Sequence, residues 1–179
     1  AAVITAARGP GGYVDLAYMH IAMYDAVNAI DRRYAVFAVS PSTVPAGAAQ
    51  DAAAVAAAYT VLRTLFPAQQ ATLDAGYATS LAAIPNSQAK TDGITVGTEV
   101  AALFLASRAG DGRDAPITYT PGSGPGAWIP TSPAPPAVVY LSRMRPFAME
   151  TASQFRADGP PALTSEQYAA DFNEIKILG

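Results

Sequence analysis

The chain has 179 residues, a net charge of −3 and no cysteine, and this length is enough for one domain with a substantial core. Its nine Arg and two Lys residues are scattered, so they form no footprint for nucleic acid, and no apolar run approaches the roughly 20 residues of a membrane span. The lack of cysteine excludes disulfides, thiolate nucleophiles and Cys-based metal sites, and leaves the redox compartment undetermined.

The first residues, AAVITAARGPGG, contain neither the basic start nor the long apolar region of a signal peptide. An Ala-Ala start is nevertheless compatible with a mature end left after such a peptide was removed, which would make the protein secreted or periplasmic. Half of the residues are hydrophobic, at 51%, but much of that total is alanine. Alanine favours helices and lets them approach closely, while each alanine contributes little buried area.

The first predicted element is a helix from Tyr13 to Ile30. Four apolar residues and His20 recur at helical spacing on one stripe, opposite Asp25 and Tyr18: Leu16, His20, Met23, Val27 and Ile30. His20 is the only histidine, and within this stripe we interpret it as a residue at the edge of the core, bonded to Tyr24 or a carbonyl, in preference to a ligand or general base. Burial there predicts a loss of stability in mild acid, because the unfolded chain would bind a proton that the fold resists.

Three further helices are predicted before residue 110. The segment QDAAAVAAAYTVLRTLF forms the second and ends at Pro67, which can serve as the first residue of a third helix extending to Ala83. Asn86 or Ser87 caps a fourth helix that ends at about Ala109. Gly93 and Gly97 lie four residues apart on one face of it, and this spacing predicts close approach of a neighbouring helix.

Residues 110–161 are predicted to be irregular, unlike the helical segments before them, because they hold most of the chain's 15 prolines and lack a helical period. Large apolar residues along this stretch, among them Tyr119, Trp128 and Met144, favour an irregular arm lying against a surface over a disordered linker. The chain therefore divides into a helical bundle at 1–109, a Pro-rich extended arm at 110–163 and a terminal helix at 164–179, within one structural domain.

A fifth helix is predicted from Thr164 to Leu178, with Thr164 as the N-cap, Gln167 as its capping-box partner and Gly179 at its end. Its apolar stripe needs a partner surface. The residues that we expect at such an interface lie on this helix and on the arm: Trp128, Phe147, Tyr168, Phe172 and Ile175.

Candidate chemistry in the sequence is sparse. Arg143, Arg145 and Arg156 near the end of the arm could clamp an anion. The acidic residues include possible oxygen ligands, but they form no calcium-loop pattern. The GDGRD segment at residues 110–114 is typical of a polar turn that ends a helix more than of a cation loop.

Four segments together resemble the N-terminal half of bacterial proteins related to vanadium-dependent haloperoxidases. They cover nearly the whole chain: AYMHIAMYDAVNAID, AYTVLRTLFPAQQATLDAGY, GITVGTEVAALFLASRAGDG and, most specifically, MRPFAMETASQFRADGPPALTSEQYAADFNEIKILG. The resemblance implies N-terminal helices followed by an acid-phosphatase-like helical domain that binds vanadate or phosphate. In the complete family enzyme, vanadate is the cofactor and activates peroxide for attack by halide; the same pocket also suits phosphoester hydrolysis.

The anion-binding residues of the family are absent from this sequence. Arg145 is followed by Pro146 as in the family, but Val138 stands where the family has Lys, and Pro125 follows Ser-Gly where the family has His. No catalytic residue, metal ligand or cofactor is therefore assigned to this chain, and we expect it to end where the related proteins continue into their catalytic domain.

Two functions follow as alternatives. The chain is the N-terminal helical part of a haloperoxidase-like or acid-phosphatase-like enzyme and is inactive alone, or it is a non-catalytic helical module for assembly. In both cases we predict an all-α fold of about five helices with an irregular arm. We also predict a homo-oligomer or a complex with a separate C-terminal catalytic polypeptide, and no nucleic-acid partner.

Overall fold

A computed structural model describes residues 11–134 and 136–179. The predicted all-α fold is confirmed, and no strand occurs among these residues. The described residues form five α-helices: α1 (Gly12–Asp31), α2 (Gln50–Leu65), α3 (Gln70–Ala82), α4 (Gln88–Ser107) and α5 (Glu166–Leu178). In the described part of the chain, no helix combines the length and the apolar character that crossing a bilayer requires.

The core is formed by α1, α2 and α4, with α2 in contact with both of the others. Each helix presents small or medium residues to the centre, and Phe104 is the largest fully buried side chain. α3 packs mainly on α2 and lies outside this three-helix core. Further core residues come from all three central helices: Tyr18, Ala22 and Ala26 from α1, Ala53, Ala57 and Val61 from α2, and Val96 and Val100 from α4.

The closest helix contact joins α4 to α2 through two glycines. A Cβ atom at Gly97 would overlap the backbone carbonyl of Ala53, and one at Gly93 would overlap the carbonyl of Ala49. The predicted close approach on the glycine face is therefore confirmed. Because alanines line the facing side of α2, the two backbones come together where large side chains would separate them.

The prediction for the buried face of α1 is wrong. His20 is exposed, and the helix instead buries Tyr18, Ala22 and the carboxylates of Asp15 and Asp25. The reason is that Ala22 and Ala26 on this face join the core together with alanines of α2, while partners elsewhere in the chain bind the carboxylates of Asp15 and Asp25. An exposed His20 removes the basis for the expected loss of stability in mild acid.

The helix ends agree with the local sequence except at two places. Ser87 caps α4 by accepting a hydrogen bond from the Lys90 amide at 3.2 Å, as one of the two alternatives predicted. A 3₁₀ turn, Pro67–Gln69, precedes α3, so this helix begins later than predicted. Ser165, and not Thr164, caps α5, because its hydroxyl reaches the amide of Tyr168 at 3.1 Å.

The arm is partly packed against the core. Its described residues form one short 3₁₀ helix, Val139–Ser142, after which Met144 is buried and Phe147 contacts the core cluster. Trp128, by contrast, is 50% exposed. Residues 148–164 are all exposed, and they lead to α5.

We predict that Gly97→Ala destabilises the fold by about 1–3 kcal/mol, because the added methyl group forces α2 and α4 apart. The matched control is Gly76→Ala in α3, where a Cβ would meet no atom within 4 Å. This control should be neutral or stabilising by up to about 1 kcal/mol, since alanine is the better helix former. Urea unfolding followed by circular dichroism measures both, and equal effects at the two glycines would contradict the close contact.

Candidate functional site

Buried charges meet where the end of α4 and the turn after it contact α1. Five side chains form this polar cluster, and each is at most 8% exposed: Asp15, Tyr18, Arg108, Asp111 and Arg113. A buried charge is costly unless it is paired and hydrogen-bonded. The cluster is therefore the part of the described chain in which a specific role for ionisable groups is best supported.

Arg113 forms one half of the polar cluster with Asp15 and Asp114. Its Nε donates to Asp15 Oδ1 at 2.6 Å, and its terminal nitrogen donates to Asp114 at 2.7 and 2.9 Å. Burial by itself lowers the pKa of the Arg113 guanidinium, but the bond and charge of Asp15, with the charge of Asp114, outweigh it and raise the pKa. Arg113 therefore remains charged and links the turn to α1.

Arg108 forms the other half with Asp111 and the arm. Its Nε donates to Asp111 Oδ2 at 2.7 Å, and its two terminal nitrogens donate to the backbone carbonyls of Pro146 at 3.0 Å and Arg145 at 2.5 Å. The Phe147 ring lies against the same guanidinium, with 4.6 Å from its centroid to Cζ. One side chain thus ties the end of α4 to the packed part of the arm.

Tyr18 contacts both halves, since its ring centroid is 5.7 Å from Arg108 Cζ and 6.0 Å from Arg113 Cζ. Its hydroxyl donates a short hydrogen bond to Asp111, and its ring meets Phe104 and Phe147 edge-on at 5.4 and 5.6 Å. Burial, followed by the hydrogen bond to the Asp111 carboxylate, raises the pKa of Tyr18 to about 12. The phenol is therefore a stable hydrogen-bond donor at neutral pH, and it is poorly suited to act as a base.

The GDGRD segment makes this arrangement possible. Gly110 and Gly112 have φ values of +67° and +92°, in the region where glycine is favoured. These two positions turn the chain so that Asp111 and Arg113 both point inward. The segment is a polar turn after the helix, and within residues 11–134 and 136–179 no group of three or more His, Cys, Asp or Glu side chains could hold a metal ion.

Asp25 and Asn28 form a second buried polar site on α1. The Asp25 carboxylate accepts the backbone amides of Phe37, Ala38 and Val39 at 2.8–2.9 Å. Asn28 exchanges hydrogen bonds with the backbone N–H and C=O groups of Tyr34 at 2.9 and 2.8 Å. Both side chains therefore fix the loop that follows α1, and the carboxylate is engaged by amides.

The three arginines proposed as an anion clamp are only partly brought together. Arg143 and Arg145 line one open cavity with Glu150, whereas Arg156 does not line it. The guanidinium of Arg145 also donates to the carbonyl of Ser107. A carboxylate in this cavity opposes anion binding, since it repels a negative ligand.

The five residues proposed for an interface lie in three places. Phe147 is half-buried in the polar cluster, and Trp128 contacts Tyr119 on the outer arm at 5.3 Å between ring centroids. The other three are exposed on α5: Tyr168, Phe172 and Ile175. No α5 residue is buried, and this helix makes no substantial contact with the other helices among the described residues.

The chemistry of the polar cluster is structural. Its arginines and carboxylates bond to one another or to backbone carbonyls, and its phenol is held protonated. The cluster itself contains no serine, cysteine or histidine that could act as a nucleophile. Sequence reasoning missed Asp15 and Tyr18 as its members, and the GDGRD segment following a helix was the available indication.

We predict that Arg113→Met costs about 3–5 kcal/mol, because it removes the guanidinium that pairs with the buried carboxylate of Asp15. The control is Arg33→Met, which removes an ion pair with Asp31 whose arginine side chain is 70% exposed. That change should cost under about 1 kcal/mol. Chemical denaturation at neutral pH compares the two, and a cost for Arg113→Met no larger than the control would refute the role of the cluster.

We also predict that Tyr18 makes the fold sensitive to alkali. The unfolded phenol loses its proton near the ordinary pKa of 10, and the folded one near 12. The unfolded state therefore holds fewer protons between these values, and the free energy of unfolding falls as pH rises through the window.

Tyr18→Phe should flatten this fall, whereas Tyr13→Phe at an exposed position should not. Burial raises the pKa of Tyr77 and the Asp74 bond raises that of Tyr59, so the difference between variants is the informative quantity. Urea unfolding between pH 9 and 12 gives it. The same slope in both variants would count against a buried Tyr18 phenol.

Comparison with known proteins assigns the chain to no family. Family models, curated proteins and solved structures were all searched without a match. The resemblance to haloperoxidase-related proteins therefore stays a prediction drawn from the residues.

Proposed function

We propose that this chain is the helical, non-catalytic part of a haloperoxidase-like or acid-phosphatase-like protein, and that α5 is its assembly element. The polar cluster holds α1, α4 and the arm together. α5 then recruits a partner, which is a second copy of the chain or a separate catalytic polypeptide. Assembly and catalysis are in this way divided between different parts of the protein.

The observation that carries the proposal is the uncovered apolar face of α5. Phe172 is 57% exposed, Ile175 is 70% exposed and Leu178 is 77% exposed. The rings of Tyr168 and Phe172 stack along the helix, with 6.4 Å between their centroids. Covering half of this face would contribute several kcal/mol at about 25 cal/mol per Å², which favours association over exposure.

The absence of catalysis is supported by the residues available for an oxyanion. Vanadate or phosphate needs several converging cationic and amide donors. At the family's lysine position this chain has Val138, and its Arg145 is exposed and bonded to the Ser107 carbonyl. These residues do not fit vanadate, so neither halide peroxidation nor phosphoester hydrolysis is assigned to this chain alone.

We predict that the purified chain neither binds vanadate nor hydrolyses a chromogenic phosphoester. The reason is that the described arginines do not converge on one cavity free of carboxylates. Calorimetry with vanadate and a phosphoester assay test this prediction. Turnover that disappears in His20→Ala would show that the chain is catalytic by itself and would defeat the proposal.

We predict that the chain associates through α5, and that Phe172→Asp shifts it toward monomer by placing a charge in the apolar face. Ile177→Asp is the matched control, because Ile177 lies on the opposite side of the same helix and is 81% exposed. Light scattering across a dilution series measures association. A monodisperse monomer at high concentration, unchanged by Phe172→Asp, rules out the interface.

A further inference from the structure

Two helices in the described chain have no buried residue, α3 and α5. α3 contacts the bundle mainly through α2 and leaves Leu73 and Tyr77 half-buried. An amphipathic helix is stabilised when its apolar face is covered, and both helices keep apolar surface that a partner could cover.

An apolar groove lies between α1 and α3, with α2 as its floor. It consists of two adjoining cavities of about 310 and 350 Å³ that share Met23 and Ala54. The first cavity is bounded by Leu62 from α2 and by Leu73 and Tyr77 from α3. The second continues along α1, so the groove is an elongated channel across the outer surface of α2.

Small residues form part of the floor and part of the α3 wall of the groove. Ala54 and Ala58 form the floor, and Gly76 in the α3 wall would have no atom within 4 Å of an added Cβ. Tyr59 and Tyr77 stack with 4.0 Å between ring centroids and so form a firm aromatic boundary. The space above these small residues has room for large side chains from a partner.

Several polar groups along the groove already have partners, and His20 on α1 also lines it. The hydroxyl of Tyr59 donates to Asp74 at 2.6 Å, and Asp31 pairs with Arg33 at 2.8 Å. An apolar face can therefore cover the groove without leaving these carboxylates or this phenol unpaired. This property favours an apolar occupant over a charged one.

α5 has the features that the groove requires. Tyr168, Phe172 and Ile175 are spaced i, i+4 and i+7, the pattern with which an amphipathic helix binds a hydrophobic groove. The helix has 13 residues, which makes it about 20 Å long. Its large side chains match the small floor residues, as ridges match grooves in helix packing.

We propose that α5 of a second copy binds in this groove, and that the exchange is reciprocal in a symmetric dimer. This inference rests on the proposed role of α5 in assembly. Within one chain no α5 residue lines the groove. A fully exposed aromatic side chain buries about 150–250 Å², but Tyr168 is only 37% exposed and Phe172 57% exposed, so one helix and one groove together bury on the order of 500 Å². Two such contacts bury about 1,000 Å², which is the lower limit for a specific interface.

Cysteine pairing tests the contact directly, because the chain has no cysteine of its own. Gly76→Cys and Ile175→Cys are prepared separately with different tags, mixed, and oxidised gently. The proposal expects a disulfide-linked heterodimer. Gly76→Cys mixed with Ile177→Cys is the control and should give little of this product, since Ile177 lies on the other side of α5. Equal yields in the two mixtures, or no heterodimer in either, overturn the proposal.

Two further variants separate this inference from the proposed function. Ala58→Trp fills the floor of the groove and should reduce association as much as Phe172→Asp does. If Phe172→Asp disperses the assembly while Ala58→Trp and the cysteine pair have no effect, the groove is wrong and the role of α5 stands. If the double variant Gly76→Cys/Ile175→Cys forms its disulfide within a monomer, the second copy is refuted as the occupant.

Discussion

The close approach of α4 to α2 is the contact on which the rest of the structure depends. Gly93 and Gly97 meet the α2 backbone at Ala49 and Ala53, so the two helices pack without large side chains between them. Alanine side chains are too small to fill a wide space between helices. The core of this alanine-rich chain is therefore close-packed only because the helices approach each other closely. α1 then packs on both helices, and Phe104 fills the space that remains.

The residues at and just after the end of α4 connect the helical core to the arm. Arg108 and Arg113 lie just beyond the close contact. Arg113 forms an ion pair with Asp15 of α1, and Arg108 donates hydrogen bonds to the carbonyls of residues 145 and 146. A network of buried charges is specific because each member has one satisfactory set of partners. The arm is consequently held only as far as Phe147, and residues 148–164 are exposed.

The proposed function uses the surfaces that the helical core leaves exposed. The narrow core uses the inner faces of α1, α2 and α4, so the outer surface of α2 remains as a groove beside α3. α5 lies beyond the exposed segment with its aromatic side chains uncovered. In the proposed dimer, the groove of one copy and α5 of the other copy form the two halves of each contact.

The sequence by itself determined where the helices lie, because periodicity, prolines and caps such as Ser87 act over a few residues. It also predicted the glycine face of α4, since small residues one turn apart have few other uses. The polar cluster could not be predicted as a site, because Tyr18 and Asp15 lie 93 and 98 residues before their partners Asp111 and Arg113.

Only the tertiary structure decided which face of α1 is buried. The stripe through Met23 is the more apolar one, yet the face with Asp15 and Asp25 lies inside. These carboxylates can be buried because each has partners elsewhere in the chain. Arg113, 98 residues later, pairs with Asp15, and the amides of residues 37–39 donate to Asp25. No pattern within α1 contains those partners, since a charge is paired by neighbours in space and not by neighbours in sequence.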